Sequence, residues 1–299
     1  TRKLSEIKLW RLKRLKIEKK IILSELNLNS KKSIDKIFKN FSFHEFYNLA
    51  GHSVVTTSFK DTLKISNITA MGVVRILEAI KNKNKKIKFY QASSSEIFGD
   101  SKEKFQNENS NFKPKNPYAI SKLFSHLMTK NFREHNNIFA VSGILFNHES
   151  PLRGEEFITR KIVKGLVKVL YKKQDFIEIG NLDSKRDWGF AEDYVEAMWK
   201  MMQQKIPDDY IICTGKTYSI KEFINYCINY LKIDAKWIGK GLNAKLINKK
   251  TNKVIIKVNP KYFRPSEVNY LKGDFTKAKK KLSWKPKIAL KELVELMLK

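Results

Sequence analysis

The stretch Ser93-Ser94-Ser95-Glu96 ends one apolar run, and Pro117-Tyr118-Ala119-Ile120-Ser121-Lys122 opens the helical segment that follows. Tyr118 and Lys122 stand four apart, so on a helix they share a face. An ammonium beside a phenol favours phenolate and lowers the Tyr pKa. Such a set can remove a proton from an alcohol near neutral pH. Tyr-x-x-x-Lys alone is a common pattern, and a surface hydroxyl cluster beside an ordinary helix is the competing reading. The order of strand end, Ser-x-Glu, loop and helix start gives the pattern its weight.

The elements that must position these groups follow from periodicity. Residues 1–20 read as a basic amphipathic helix, and Ile21-Ile22-Leu23 as the centre of a short strand over 20–28. Ser30 or Ser33 caps a helix carrying Ile34, Ile37, Phe38 and Phe41, and residues 43–49 form a strand. A helix over about 63–82 and a strand over 87–92 come next. Asn116 and Pro117 supply the N-cap and first position of a helix to about residue 135. A buried strand covers 139–146. Alternating helices and near-continuous apolar strands imply an α/β fold with a doubly wound parallel sheet. In such sheets ligands sit beyond the strand C-terminal ends. That is where Leu49-Ala50-Gly51, Ser93 to Glu96 and Asn147-His148-Glu149 fall.

After Pro151 the pattern loosens. A helix over about 192–204 and a strand over 210–213 return to the sheet, while helices over 219–231 and 290–298 belong to a smaller α+β lobe. Residues 240–257 read as an exposed arm or hairpin. The expected division is a dinucleotide-binding part over 1–150, completed by about 190–215, and a mainly substrate-binding part over 151–299.

The 299 residues carry a formal net charge of +30, which by itself invites a nucleic-acid reading. Lys dominates over Arg, however, and is spread along the whole chain with many Ile and Asn. This is the pattern of a compositional bias and a dispersed solvated surface, with a polyanion-binding surface as the alternative. Nothing reads as a membrane span, and residues 1–6 lack the apolar core of a secretory signal. Cys213 and Cys227 have no metal spacing and no disulfide framework, so a reducing cytoplasm is the expected compartment.

Six stretches carry a resemblance: 89–96, 116–122, Gly143 to Pro151, the loop Gly180 to Gly189, Tyr262 to Val268 and Leu282-Ser283-Trp284-Lys285-Pro286. On these, from about residue 20 onward, the chain resembles the GDP-mannose 4,6-dehydratases, extended short-chain dehydrogenase/reductase proteins related to other sugar-nucleotide dehydratases and epimerases. It implies a Rossmann-like fold, NADP as cofactor and GDP-mannose as substrate. The implied chemistry oxidises C4 of the sugar, loses water across C5 and C6, and reduces C6. Tyr118 would take the C4 hydroxyl proton, with Lys122 lowering its pKa and binding the nicotinamide ribose. Glu96 would remove the C5 proton, and Ser94, at a position usually Thr, would hydrogen-bond the C4 oxygen. Asn27, Leu28, Leu49, Ala50, Gly51, Ser53, His148 and Arg153 match cofactor contacts. Asn147, Lys161, Arg186, Arg264 and Glu267 match nucleotide-sugar contacts. The family also forms dimers and tetramers, which implies a homo-oligomer.

One departure stands out. The family opens with a strand, a Gly-x-x-Gly-x-x-Gly turn and a helix, whose N-terminus receives the pyrophosphate. Residues 1–19 contain no Gly, and an Arg-rich 2′-phosphate segment is reduced to Arg2, Arg11 and Arg14. The expectation is an N-terminally truncated Rossmann-like sheet that binds NADP⁺ poorly by itself. The rival readings are another nucleotide-sugar dehydratase or epimerase, a catalytically impaired remnant, and a basic polyanion-binding protein.

Overall fold

The computed structural model describes residue 4 and residues 9–51, 58–101, 103–263 and 268–299. The chain divides into two compact units. The first comprises Thr1–Ser94, Asn116–Gly143 and Lys200–Asp209; the second comprises Ser95–Lys115, Ile144–Trp199 and Tyr210–Lys299.

The first elements are α1 (Trp10–Arg14), α2 (Lys31–Asn40), β1 (Glu45–Asn48), α3 (Thr62–Ser66), α4 (Gly72–Lys83) and β2 (Lys88–Ala92). They are followed by α5 (Pro117–Asn136), β3 (Ala140–Leu145), β4 (Asn147–Glu149), α6 (Ile158–Leu170), β5 (Ile177–Ile179), β6 (Lys185–Arg186) and β7 (Trp188–Phe190). The remainder is α7 (Ala191–Met202), β8 (Asp209–Ile212), β9 (Tyr218–Ser219), α8 (Ile220–Tyr230), β10 (Ala235–Ile238), β11 (Lys245–Asn248), β12 (Val254–Val258), α9 (Thr276–Leu282) and α10 (Leu290–Leu298).

One four-stranded sheet has the order β1-β2-β3-β8. β1–β2 and β2–β3 are parallel, with Asn48 opposite Gln91 and Ala92 opposite Gly143. This is the alternating α/β arrangement the periodicity implies. In the first unit, Val73, Ile76, Leu77 and Ile80 of α4 lie at helical spacing on one face and are all at most 1% exposed. They pack with Phe89, Phe132, Ile138 and Ala140 into one apolar cluster. Each such side chain contributes about 1.5–3 kcal/mol by leaving water.

Local signals fix the helix ends. Ser30 Oγ accepts Ser33 N–H (3.2 Å) at the start of α2. Asn116 Oδ1 accepts Ala119 N–H (2.8 Å) and Pro117 fills the first turn of α5. Asn137, at φ 53°, takes the left-handed conformation that ends it. Arg133 of α5 holds Asp209 of β8 bidentately (2.9 and 2.8 Å) and donates to Ala140 O (3.0 Å), tying the helix to two strands.

Several expectations need correction. Residues 21–23 form no strand. Ile22 is 81% exposed and the run pairs with no strand among the described residues, so its backbone has no ladder to join. The helix over 63–82 is interrupted by a π turn, Asn67–Met71, between α3 and α4; Thr69 O there accepts Ser125 Oγ (2.7 Å). Of the two readings of residues 240–257, the hairpin holds and the exposed arm does not. β11 and β12 pair antiparallel and belong to a second sheet, β10-β11-β12-β5, in which β12 runs parallel to β5. Leu246, Ile255 and Ile256 are buried there against Ile162, Leu166, Phe223, Leu293 and Met297, the core of the second unit. The helix over 1–20 is reduced to α1 among the described residues.

Candidate active site

Lys122 is the centre of the first unit's polar end. It lies in the second turn of α5 and is 6% exposed. Its ammonium donates to Ala92 O at the end of β2 (2.7 Å) and stands 5.9 Å from the Tyr118 ring centroid. Burial disfavours the charged form and lowers its pKa to about 8. The α5 cap therefore places Tyr118 and Lys122 on one helix face, as their spacing predicts.

A buried chain of side-chain amides leads away from the same carbonyl. Gln91 Nε2 also donates to Ala92 O (2.9 Å), and Gln91 Oε1 accepts Asn48 Nδ2 (2.8 Å). Asn48 Oδ1 in turn accepts Ala50 N–H (3.3 Å) in the turn after β1. A Cβ on Gly51 of that turn would stand 3.7 Å from Lys122 Nζ. The structure thus brings Ala50, Gly51, Tyr118 and Lys122 into one neighbourhood, and adds Asn48 and Gln91. A polar residue inside an apolar strand was the available signal for those two.

Ser94 is 8% exposed, two residues past the end of β2. Leu49 follows β1 and is 58% exposed. Asn27 and Leu28 lie further along this unit. Arg75 of α4 donates to Leu28 O (3.0 Å), and Ser33 Oγ accepts Asn27 N–H (2.9 Å).

In the second unit, Glu96 sits on the 3-10 turn Ser95–Phe98. Asn147 and His148 lie on β4, next to β7. His148 stacks on Tyr194 (4.9 Å, 28°), and its Nδ1 lies 2.9 Å from Phe146 O. A carbonyl only accepts, so that nitrogen carries the proton. Glu149, 2% exposed, accepts Thr159 Oγ1 (2.7 Å) and pairs with Arg153 Nε (3.3 Å). Burial raises its pKa. Arg153 lies 3.5 Å over Phe157. Lys161 of α6 lies 3.7 Å over the Tyr262 ring. Arg186, 7% exposed on β6, donates to Lys185 O (2.9 Å). Its neighbour Asp187 is pushed up to about 6 by burial, although Thr214 and the Gly215 amide donate to it. Ser53, Arg264 and Glu267 lie outside the described residues.

The donors and acceptors left over fit one end of a dinucleotide. Lys122 has three N–H donors and Ala92 O takes one. Ser93 Oγ is buried with no partner among the described residues. Both suit ribose hydroxyls at the nicotinamide end. For the pyrophosphate end, the 299 residues contain no Gly-x-x-Gly-x-x-Gly.

Comparison with known proteins adds to this geometry. The sequence profile described as GDP-mannose 4,6 dehydratase matches residues 1–297. A GDP-mannose 4,6 dehydratase of Drosophila melanogaster is 44% identical over 275 residues, 91% of this chain and 70% of the relative. The Homo sapiens protein is 44% identical over 264 residues, 88% of this chain and 71% of the relative. That of Vibrio cholerae serotype O1 is 41% identical over 283 residues, 91% of this chain and 76% of the relative. Among solved structures, an RMD from Pseudomonas aeruginosa complexed with NADPH superimposes at TM-score 0.79 with 20% identity, covering 93% of this chain and 87% of that one. A UDP-glucose 4-epimerase from Thermus thermophilus in complex with NAD gives 0.78 at 18% identity, covering 95% and 86%. These two share the Rossmann-like fold. On the extent of the profile match and the identity to these relatives, the chain belongs to the GDP-mannose 4,6-dehydratase family.

Proposed function

We propose that this chain converts GDP-mannose to GDP-4-dehydro-6-deoxy-mannose, a carbon–oxygen lyase reaction run on bound NADP⁺. The observation that carries the reading is the buried Lys122 ammonium, fixed to the end of β2 and one helical turn from Tyr118, in a chain of this family. When bound, NADP⁺ supplies a hydride acceptor for the sugar C4 and a donor for C6. The Lys122 charge stabilises the Tyr118 phenolate, which takes the proton of the C4 hydroxyl and becomes the neutral phenol. Ser94 hydrogen-bonds the C4 oxygen. Glu96 removes the C5 proton, which the adjacent 4-keto group acidifies, and gives it to the C6 hydroxyl, which leaves as water.

Asn27, Leu28, Leu49, Ala50, Gly51, Ser53, His148 and Arg153 are assigned to the cofactor, together with Tyr118 and Lys122. Asn147, Lys161, Arg186, Arg264 and Glu267 are assigned to the GDP-sugar; the planar fork of Arg186 suits a diphosphate. In this reading residues 1–150, with about 190–215, serve the dinucleotide and 151–299 mainly the sugar nucleotide.

The chain acts as a homo-oligomer. Ile120, Phe124 and Leu127 of α5 support this, standing 56%, 39% and 46% exposed at helical spacing on one face. Among the described residues no helix is long and apolar enough to cross a membrane. The test offers the purified chain, with NADP⁺, GDP-mannose and in parallel UDP- and dTDP-hexoses. Loss of one water from GDP-mannose by mass spectrometry supports the reading, and conversion confined to a UDP- or dTDP-sugar defeats it.

A further inference from the structure

Gln91 is a costly residue for its place. It is fully buried in a strand paired on both sides, where a desolvated amide costs about 1–3 kcal/mol unless every polar atom finds a partner. Asn48, opposite it in the register, is 2% exposed. Two apolar side chains would satisfy the core more cheaply.

Their hydrogen bonds run in one direction. Ala92 O can only accept, so Gln91 must present its Nε2 there (2.9 Å). That turns Gln91 Oε1 toward Asn48, whose Nδ2 must then donate (2.8 Å). Asn48 Oδ1 is left to accept the Ala50 amide (3.3 Å). A carbonyl fixes one end of the chain and an N–H the other, so neither amide can flip without breaking two bonds. The carbonyl end is shared with Lys122 Nζ (2.7 Å), and both lone pairs of Ala92 O are thereby used.

We propose that Asn48 and Gln91 are positioning residues. Through the Ala92 carbonyl they fix where the Lys122 ammonium stands, and through the Ala50 amide they tie the Leu49–Gly51 turn to the same frame. The inference rests on the dehydratase reading for its functional meaning. The vacant Cβ position of Gly51, 3.7 Å from Lys122 Nζ, shows how closely the two ends of the frame approach. Burial lowers the Lys122 pKa, and among the described residues Tyr118 is a titratable side chain beside it. A charge placed at residue 91 should therefore be felt directly by Lys122.

The test reads Lys122 in the full-length chain without ligand, by competitive lysine labelling over a pH series with the Lys122 peptide followed by mass spectrometry. The wild-type midpoint is expected at about 8. Gln91→Glu, nearly isosteric, should raise it by about one unit or more, because a carboxylate beside the ammonium favours the charged form. Gln91→Met should lower kcat on GDP-mannose by about tenfold or more while KM stays within about twofold, the mark of lost orientation. An unchanged Lys122 midpoint in Gln91→Glu overturns the proposal, even if that variant melts earlier. So does a wild-type kcat in Gln91→Met. If Gln91→Met does not fold, the Gln91→Glu titration decides alone. A wild-type chain inactive on GDP-mannose sinks the dehydratase reading, while the labelling series still decides the network.

Discussion

Residues 21–23 and residues 89–91 carry similar apolar promise and meet opposite fates within the same unit. Ile21-Ile22-Leu23 stays outside any strand, with Ile22 81% exposed. Phe89-Tyr90-Gln91 lies between two strands and is fully buried. A strand exists only where neighbouring backbones accept from its N–H groups and donate to its C=O groups, and sequence preference merely qualifies a segment for that role. The flanked strand can also carry polar groups at its end, because the ladder holds its carbonyls in place. Ala92 O is such a carbonyl, and Lys122 is held by it.

The comparison implies that substitutions in the flanked region are costly and those in the exposed run are silent. The largest effect is expected for Tyr118→Phe. Turnover of GDP-mannose should fall by about 10²–10⁴-fold, the usual contribution of a positioned proton-transfer group, with an unchanged melting curve. Leu77→Ala, in the core behind β2, should cost about 2–5 kcal/mol by denaturant unfolding.

Lys122→Met sharpens the point by moving stability the other way. The folded-state pKa of Lys122 lies at about 8, below its ordinary value of 10.5. The unfolded chain therefore binds this proton more tightly, and burying the ammonium costs stability throughout the range below pH 8. The variant should be on the order of 1–3 kcal/mol more stable than wild type at pH 7, less the lost hydrogen bond to Ala92 O. That gap should close as pH rises from 8 through 10.5, measured by unfolding across the series, while activity is lost. Ile22→Ser should stay within about 0.5 kcal/mol of wild type.

Much of the site's scaffold was legible because its signals are local. Asn116 and Pro117 marked the start of α5, and Tyr118 and Lys122 followed from spacing. The last helix, α10, begins and ends at the residues its periodicity marks. What was not legible depends on distant partners. The 21–23 run reads as a strand until its neighbours are counted. Residues 240–257 carry Lys at intervals along their length, yet β11 and β12 bury Leu246, Ile255 and Ile256 once β5 and β10 flank them. Asn48 and Gln91 are polar interruptions at two strand ends, and only the β1–β2 register sets them opposite each other. The π turn at Asn67–Met71 has no sequence signature that separates it from a continuous helix.

The central claim is that the Tyr118 end of α5 runs an internal oxidation and reduction on one sugar. GDP-mannose carrying deuterium at C4, incubated with the chain and NADP⁺, tests it most directly. The expected product is lighter by one water and carries the deuterium at C6, and Tyr118→Phe yields none. Deuterium lost to solvent, or a Tyr118→Phe chain that still moves it to C6 at the wild-type rate, would contradict it.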